Sequence, residues 1–145
     1  MWQLMPEMKK ISGNYMKVGS VLNIVRPAVP ELMKSDSPRI VIINGVTANV
    51  PEPDMTAVSA SRASVKQVAH MLASALAPEI RVNTVNIGVI DTERQAAKYK
   101  KTDQSFTYLQ WKEQEARRRG IPLERMGTVE EVVPMILLLL ISKPK

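Results

Sequence analysis

The sequence predicts an α/β fold, and three observations carry that prediction. Two short runs, Arg39–Asn44 (RIVIIN) and Arg81–Asn86 (RVNTVN), read as strands, the first of them apolar and β-branched in the manner of a strand buried in a parallel sheet. The segment before each run repeats apolar residues at helical spacing. The resulting order, helix, strand, helix, strand, helix, helix, is the alternation from which parallel sheets with right-handed crossovers are built.

Taken in order, Val18, Val21, Leu22, Val25, Val29 and Leu32 define an amphipathic helix over residues 15–33, whose last part Pro27 and Pro30 should kink or fray. Ser35-Asp36-Ser37-Pro38 is turn chemistry before the first strand. Asn44-Gly45 closes that strand, and Pro51-Glu52-Pro53-Asp54 reads as an irregular loop above it. A second helix over residues 55–77 carries the apolar stripe Val65, Val68, Leu72 and Leu76, with small side chains at Ala57, Ala60, Ser61 and Ser64. After the second strand a loop begins at Ile87-Gly88, and residues 92–107, largely polar, read as a mobile connection. Tyr108–Arg119 reads as a helix stopped by Gly120 and followed by Pro122. Thr128-Val129-Glu130-Glu131 is a capping box opening the last helix, in which Pro134 is a local conflict. The apolar run Met135–Ile141 is far shorter than the roughly 20 residues that span a bilayer, so it reads as a buried helix and not as a membrane segment.

Composition narrows the function classes. The chain has 145 residues, 45% hydrophobic and 23% charged, and reads as a single domain over 1–145 that needs neither disulfide nor metal to fold. With no cysteine, thiol catalysis and cysteine-ligated zinc are excluded; with His70 as the only histidine, so is a histidine-rich metal site. His70 lies between Ala69 and Met71 and reads as a packed or surface helix residue. The opening MWQLMPEMKK puts its charges after a very short apolar stretch, the reverse of a secretory signal, and the chain reads as cytoplasmic. The net charge is +6, but the only basic cluster, Arg117-Arg118-Arg119, follows Glu113 and Glu115, and three Tyr and one Phe are few for stacking bases. It reads as a solvated helix end, which argues against nucleic acid as a partner.

Several stretches, in this order and spacing, resemble the later half of a short-chain dehydrogenase/reductase. The family's "GxIVNISS" is matched by Arg39–Gly45, and its "YxASKAAV" helix by Val58-Ser59-Ala60-Ser61-Arg62-Ala63-Ser64-Val65. Its "APxGIRVNxVxPGxIxT" is matched by Ala77-Pro78 and then Ile80–Thr92, and its "GIPLxRxGxPEE" by Gly120–Glu131. The resemblance implies a partial Rossmann-like, doubly wound parallel sheet, equivalent to the later part of the family's domain. It also implies an NAD(P)-dependent oxidoreductase acting on an alcohol or carbonyl, with an NAD or NADP cofactor and a small-molecule substrate that the sequence does not name.

The same resemblance locates the departures. The family's serine, tyrosine and lysine fall on Gly45, Val58 and Arg62, and its helical asparagine falls near Lys17. Valine transfers no proton, so the family's acid is missing. Arg62 keeps a positive charge for a ribose or phosphate, and Asn44 and Thr47 are placed to orient a carbonyl oxygen. Ile87, Gly88 and Thr92 match the loop that contacts the nicotinamide carboxamide, with Ile87 in place of proline. Tyr15 and Tyr108 are the conceivable substitute acids, and Glu52 and Asp54 flank Pro53 where a substrate would lie. The six glycines, at 13, 19, 45, 88, 120 and 127, are too far apart to form the GxxxGxG phosphate loop, so the adenosine half of the cofactor has no expected site here. The expectation is therefore a chain not catalytically competent alone. The alternative is a non-catalytic interaction module that self-associates, as the family does, through helices 15–33 and 55–77.

Overall fold

The structure, a computed structural model, describes residues 16–103 and 105–141, and within it the chain divides into two compact units. Among the described residues, one comprises 16–86 together with 139–141; the other is 87–138.

The first unit is built from α1 (Met16–Leu32), β1 (Arg39–Gly45), α2 (Thr56–Leu76) and β2 (Arg81–Ile87), whose last residue lies past the unit boundary. The two strands pair in parallel as a two-stranded sheet, giving the α/β class and the partial Rossmann-like arrangement expected. The Arg81 amide donates to the Pro38 carbonyl at 3.2 Å, so the strands start together. The helical stripes read from the sequence face inward. Val18, Leu22, Val25 and Val29 of α1 pack with Val65, Ala69, Leu72 and Leu76 of α2, Ile42 of β1 and Ile80, and Leu72 is wholly buried. Ile40 and Val82 join this cluster from the sheet. The opposite strand face, alternating with it, holds Ile43, which is 55% exposed. α1 runs through Pro27 and Pro30 to Leu32 without ending early. Each proline removes one backbone bond, and buried Val25 and Val29 on either side of Pro27 hold the helix through it.

The second unit begins where β2 ends. Residues 92–107 are not one open connection: α3 (Glu93–Tyr99) forms within them, with the carbonyl of Thr92 accepting from the amides of Gln95 and Ala96 at 2.8 and 3.1 Å. A polar segment with no apolar stripe gives no periodic signal, so only the backbone bonding reveals this helix. α4 (Tyr108–Arg118) opens on a capping box between Thr107 and Gln110, and the chain leaves it through Gly120 at φ +63, a conformation that favours glycine. Gly127 lies against the Val89–Asp91 segment in a parallel bridge, and a β-carbon there would stand 2.8 Å from the Ile90 side chain. α5 (Val129–Ile141) opens on the predicted box: Glu131 accepts from the Thr128 amide at 2.8 Å, and its own amide donates to Thr128 Oγ1 at 3.4 Å. The expectation that its apolar run is buried is corrected. Met135, Leu137, Leu138, Leu140 and Ile141 are all exposed, and Ile136 and Leu139 are half-buried. No helix among the described residues is long and apolar enough to cross a membrane.

Candidate functional site

At the C-terminal end of β1 the fold brings four of the singled-out residues together. Asn44 and Gly45 end the strand, Thr47 sits in the single 3-10 turn Val46–Ala48 that follows, and Arg62 reaches across from the second turn of α2. The Asn44 side-chain amide donates to the Arg62 carbonyl at 2.9 Å, tying the strand end to the helix. Arg62 Nη1 in turn donates to Oγ1 of Thr47, which is only 3% exposed, at 2.8 Å. The loop is held a second time by Lys66, one turn further along α2, whose Nζ donates to Asn49 Oδ1 at 2.7 Å.

Gly45 matters here for its missing side chain. A β-carbon at position 45 would lie 2.6 Å from both Nε and Nη1 of Arg62, closer than real contacts allow, so the guanidinium fills the space a serine side chain would occupy. Gly45 and Arg62 are thus spatially coupled: a side chain at 45 requires the guanidinium to move. Val58 lies one turn before Arg62 on the same side of α2, half-buried, and offers no polar atom.

The remaining singled-out residues are placed as follows. Asp54 and His70 are exposed, Glu52 is half-buried, and Lys17 is exposed on α1. Tyr15 lies outside the described residues. Ile87, Gly88 and Thr92 belong to the second unit, where Gly88 and Thr92 are exposed and Thr92 precedes α3. Tyr108 is engaged locally: its hydroxyl donates to Asp91 at 2.5 Å, and Lys112 holds the other Asp91 oxygen at 2.5 Å. Burial, and then the Asp91 carboxylate, push the Tyr108 hydroxyl up to about 12, while Lys112 and Tyr108 hold Asp91 below the usual carboxylate range. A hydroxyl that gives up its proton so reluctantly is a poor acid catalyst at neutral pH. The arginine cluster is engaged locally as well, with Arg117 and Arg118 still more than half exposed. Arg118 and Arg119 bond to buried Glu115 at 2.8 and 2.9 Å, joined by Lys98 at 2.5 Å, and Arg117 pairs with Glu124.

Two polar atoms escaped the sequence reading. The hydroxyl of Ser59, 5% exposed, and Oδ1 of Asn86 at the end of β2 are buried without a hydrogen-bond partner. Ser59 continues the core stripe of α2 one turn before Arg62, and Asn86 is a polar residue in a strand. A polar residue in an apolar register is the signal that marks both.

With this geometry in view, the chain matches the enoyl-(acyl carrier protein) reductase family over residues 14–144. Among solved structures it is similar to the short chain oxidoreductase of Pseudomonas aeruginosa PAO1 containing an atypical catalytic center. Against the apo form the identity is 35% and the TM-score 0.76, covering 83% of this chain and 47% of the other. Against the NADPH-bound form the identity is again 35% and the TM-score 0.75, covering 85% and 46%. A short chain dehydrogenase family protein of Francisella tularensis shares the fold at 24% identity and TM-score 0.73, over 86% of this chain and 51% of that one. No curated protein matches significantly. The chain spans about half the length of the solved relatives it resembles. It belongs to the short-chain dehydrogenase/reductase family of oxidoreductases.

Proposed function

We propose that this chain, as a member of that family, supplies the substrate side of a cytoplasmic NAD(P)-dependent oxidoreductase acting on an alcohol or carbonyl, and that these residues alone do not turn over. The observation that carries the reading is the meeting of Asn44, Gly45, Thr47 and Arg62 at the C-terminal end of β1, where open α/β sheets bind their ligands. The NADPH-bound relative at 35% identity supports the cofactor class. The observation that fits the nicotinamide half of such a cofactor is Asn86 Oδ1, a buried acceptor without a donor, which a carboxamide N–H would satisfy. Ile87, Gly88 and Thr92 would hold that half by the resemblance. No glycine loop for the phosphates occurs in these residues.

When bound, the nicotinamide supplies or accepts a hydride. The chain's own residues orient and polarise: Thr47 fixes the Arg62 guanidinium, and Asn44 fixes the helix turn that carries it. Neither Val58 nor Tyr108 delivers a proton, the first for want of a polar atom and the second because Asp91 holds its hydroxyl.

Those losses favour a second reading, a non-catalytic module that self-associates through residues 15–33 and 55–77. Exposed Ile24 on α1, with exposed Ala57, Ala60 and Met71 on α2, supports it. Titrating NADPH by calorimetry against a fusion to the cofactor-binding half of the Pseudomonas relative decides between them. The first reading expects micromolar binding by the fusion and nothing tighter than about 100 μM by the chain alone. A folded fusion that ignores NADPH, with a chain that sediments as a dimer, establishes the second.

A further inference from the structure

Arg62 is a half-buried cation, and no carboxylate meets it among the described residues. Its one side-chain partner is Thr47, on Nη1, which leaves the edge formed by Nε and Nη2 without a partner. That edge presents two parallel N–H groups at the spacing of a carboxylate's oxygens. Two arginines elsewhere in the chain show such two-nitrogen bonding: Arg118 takes Glu115 with Nε and Nη2, and Arg125 takes Glu131 with Nη1 and Nη2. Withdrawing a charge from water without a counter-ion is unfavourable, so a preorganised guanidinium in this state favours an anion.

The position of the group narrows the ligand further. The guanidinium lies over Gly45, where the family resemblance puts the serine that meets the substrate's carbonyl. Its charge is therefore delivered to the substrate end of the site. Thr47 fixes one nitrogen and Gly45 supports the flat face, so the fork is oriented before anything binds. A planar, two-oxygen anion matches it, whereas a lysine in its place would meet the same anion only as a point charge.

We propose that Arg62, seated over Gly45 and anchored on Thr47, is a receptor for the carboxylate of an anionic substrate. This rests on the reading above only in taking the C-terminal end of β1 as the substrate side.

The test uses the full chain without cofactor, and oxalate as the probe, read by nuclear magnetic resonance at the Arg62 Nε–H and the Gly45 amide. Saturable shifts of both signals in the millimolar range or below, absent with potassium chloride at equal ionic strength, are expected. Arg62→Lys should weaken the oxalate response at the Gly45 amide by about tenfold or more, since one of two parallel charge-assisted bonds is lost. Gly45→Ser should abolish it by displacing the guanidinium. Arg62→Gln, which keeps length without charge, gives the same loss should the serine variant not fold. Unmoved signals, equal shifts with chloride, an unchanged response in Arg62→Lys, or saturation by inorganic phosphate but not by oxalate would each overturn the carboxylate receptor. NADPH binding by the fusion is read separately. Loss of NADPH binding with oxalate retained overturns the oxidoreductase reading and supports the receptor; NADPH binding without oxalate does the reverse.

Discussion

Around Leu72 the first unit buries ten apolar side chains with no charged group among them, whereas around Glu115 the second unit buries, among its described residues, only Ala116, Met126 and one carboxylate. Polar pairing replaces aliphatic contact there. Glu115 holds Lys98, Arg118 and Arg119, Asp91 holds Tyr108 and Lys112, and Glu131 holds Arg125. Tyr99, Tyr108 and Trp111 stack beside them with centroids 5.3–5.9 Å apart, and Lys98 and Lys112 lie over the rings. Apolar burial is non-directional and indifferent to pH, while hydrogen-bonded ion pairs demand geometry and fixed protonation. The contrast teaches that the residues at 44, 45, 47 and 62 stand on the unit whose frame is the less sensitive to pH.

The sharpest way to exploit that contrast is to restore chemistry on the first unit alone. If its frame is intact, Gly45→Ser, Val58→Tyr and Arg62→Lys together, in the fusion with a family cofactor half, recover carbonyl reduction. A positioned proton donor contributes typically about 100- to 10,000-fold, so even partial repair is visible in an NADPH oxidation assay over a panel of ketones. Gly45→Ser alone is expected to recover nothing, since its side chain would collide with the Arg62 guanidinium. A folded, NADPH-binding triple variant that reduces nothing would mean the pocket itself has been rebuilt.

Removing aliphatic volume should break the first unit only. Leu72→Ala leaves a cavity at a wholly buried site and is expected to cost roughly 2–5 kcal/mol. Hydrogen exchange read unit by unit should show the loss in α1, α2 and both strands, with α3 and α4 spared. A uniform loss across both units would show that they unfold as one and would end the comparison.

Glu115→Gln is the converse experiment. It leaves three cations facing an uncharged amide and is expected to cost the second unit about 1–2 kcal/mol, a figure held down by the half-exposed ends of Lys98 and Arg118. Acid should act in the same direction. The hydrogen bond from Arg118, then those from Lys98 and Arg119, hold the Glu115 carboxyl well below its ordinary 4.5, and Arg125 lowers Glu131 to about 2. A depressed carboxylate stabilises the fold above its unfolded pKa and ceases to as pH falls through the folded one. The second unit should therefore loosen between about pH 4.5 and 2 while the first holds, as exchange or near-ultraviolet dichroism would record.

The smallest effect lies at the alkaline end. Tyr108, raised from 10.0 to about 12, contributes stability that is full below pH 10 and lost as pH rises through 12. Difference absorbance should show one tyrosine ionising near that upper value, and Tyr108→Phe should remove it. Ionisation of that tyrosine at an ordinary value would dissolve the Asp91 contact.

Much of this was legible in the residues themselves. The stripe Val18, Leu22, Val25, Val29 and the stripe Val65, Leu72, Leu76 fixed two helices and their inward faces, because periodicity is a local property of the chain. Thr128 and Glu131 announced the start of the last helix for the same reason, since capping partners are three residues apart. Thr107 and Gln110 carry the same signal at the same spacing. Sequence order likewise singled out Gly45, Val58 and Arg62 through the resemblance. Only the tertiary structure decided that Arg62 meets Gly45 and Thr47, across a strand, a turn and a helix whose approach is set by the packing of the core beneath them. It also decided that Arg118 and Arg119 meet buried Glu115 while Arg117 pairs with exposed Glu124, and that most of the apolar run ending at Ile141 is exposed. Composition states which groups a chain carries, whereas the distance between residues fifteen or more positions apart is settled by how its apolar faces find one another.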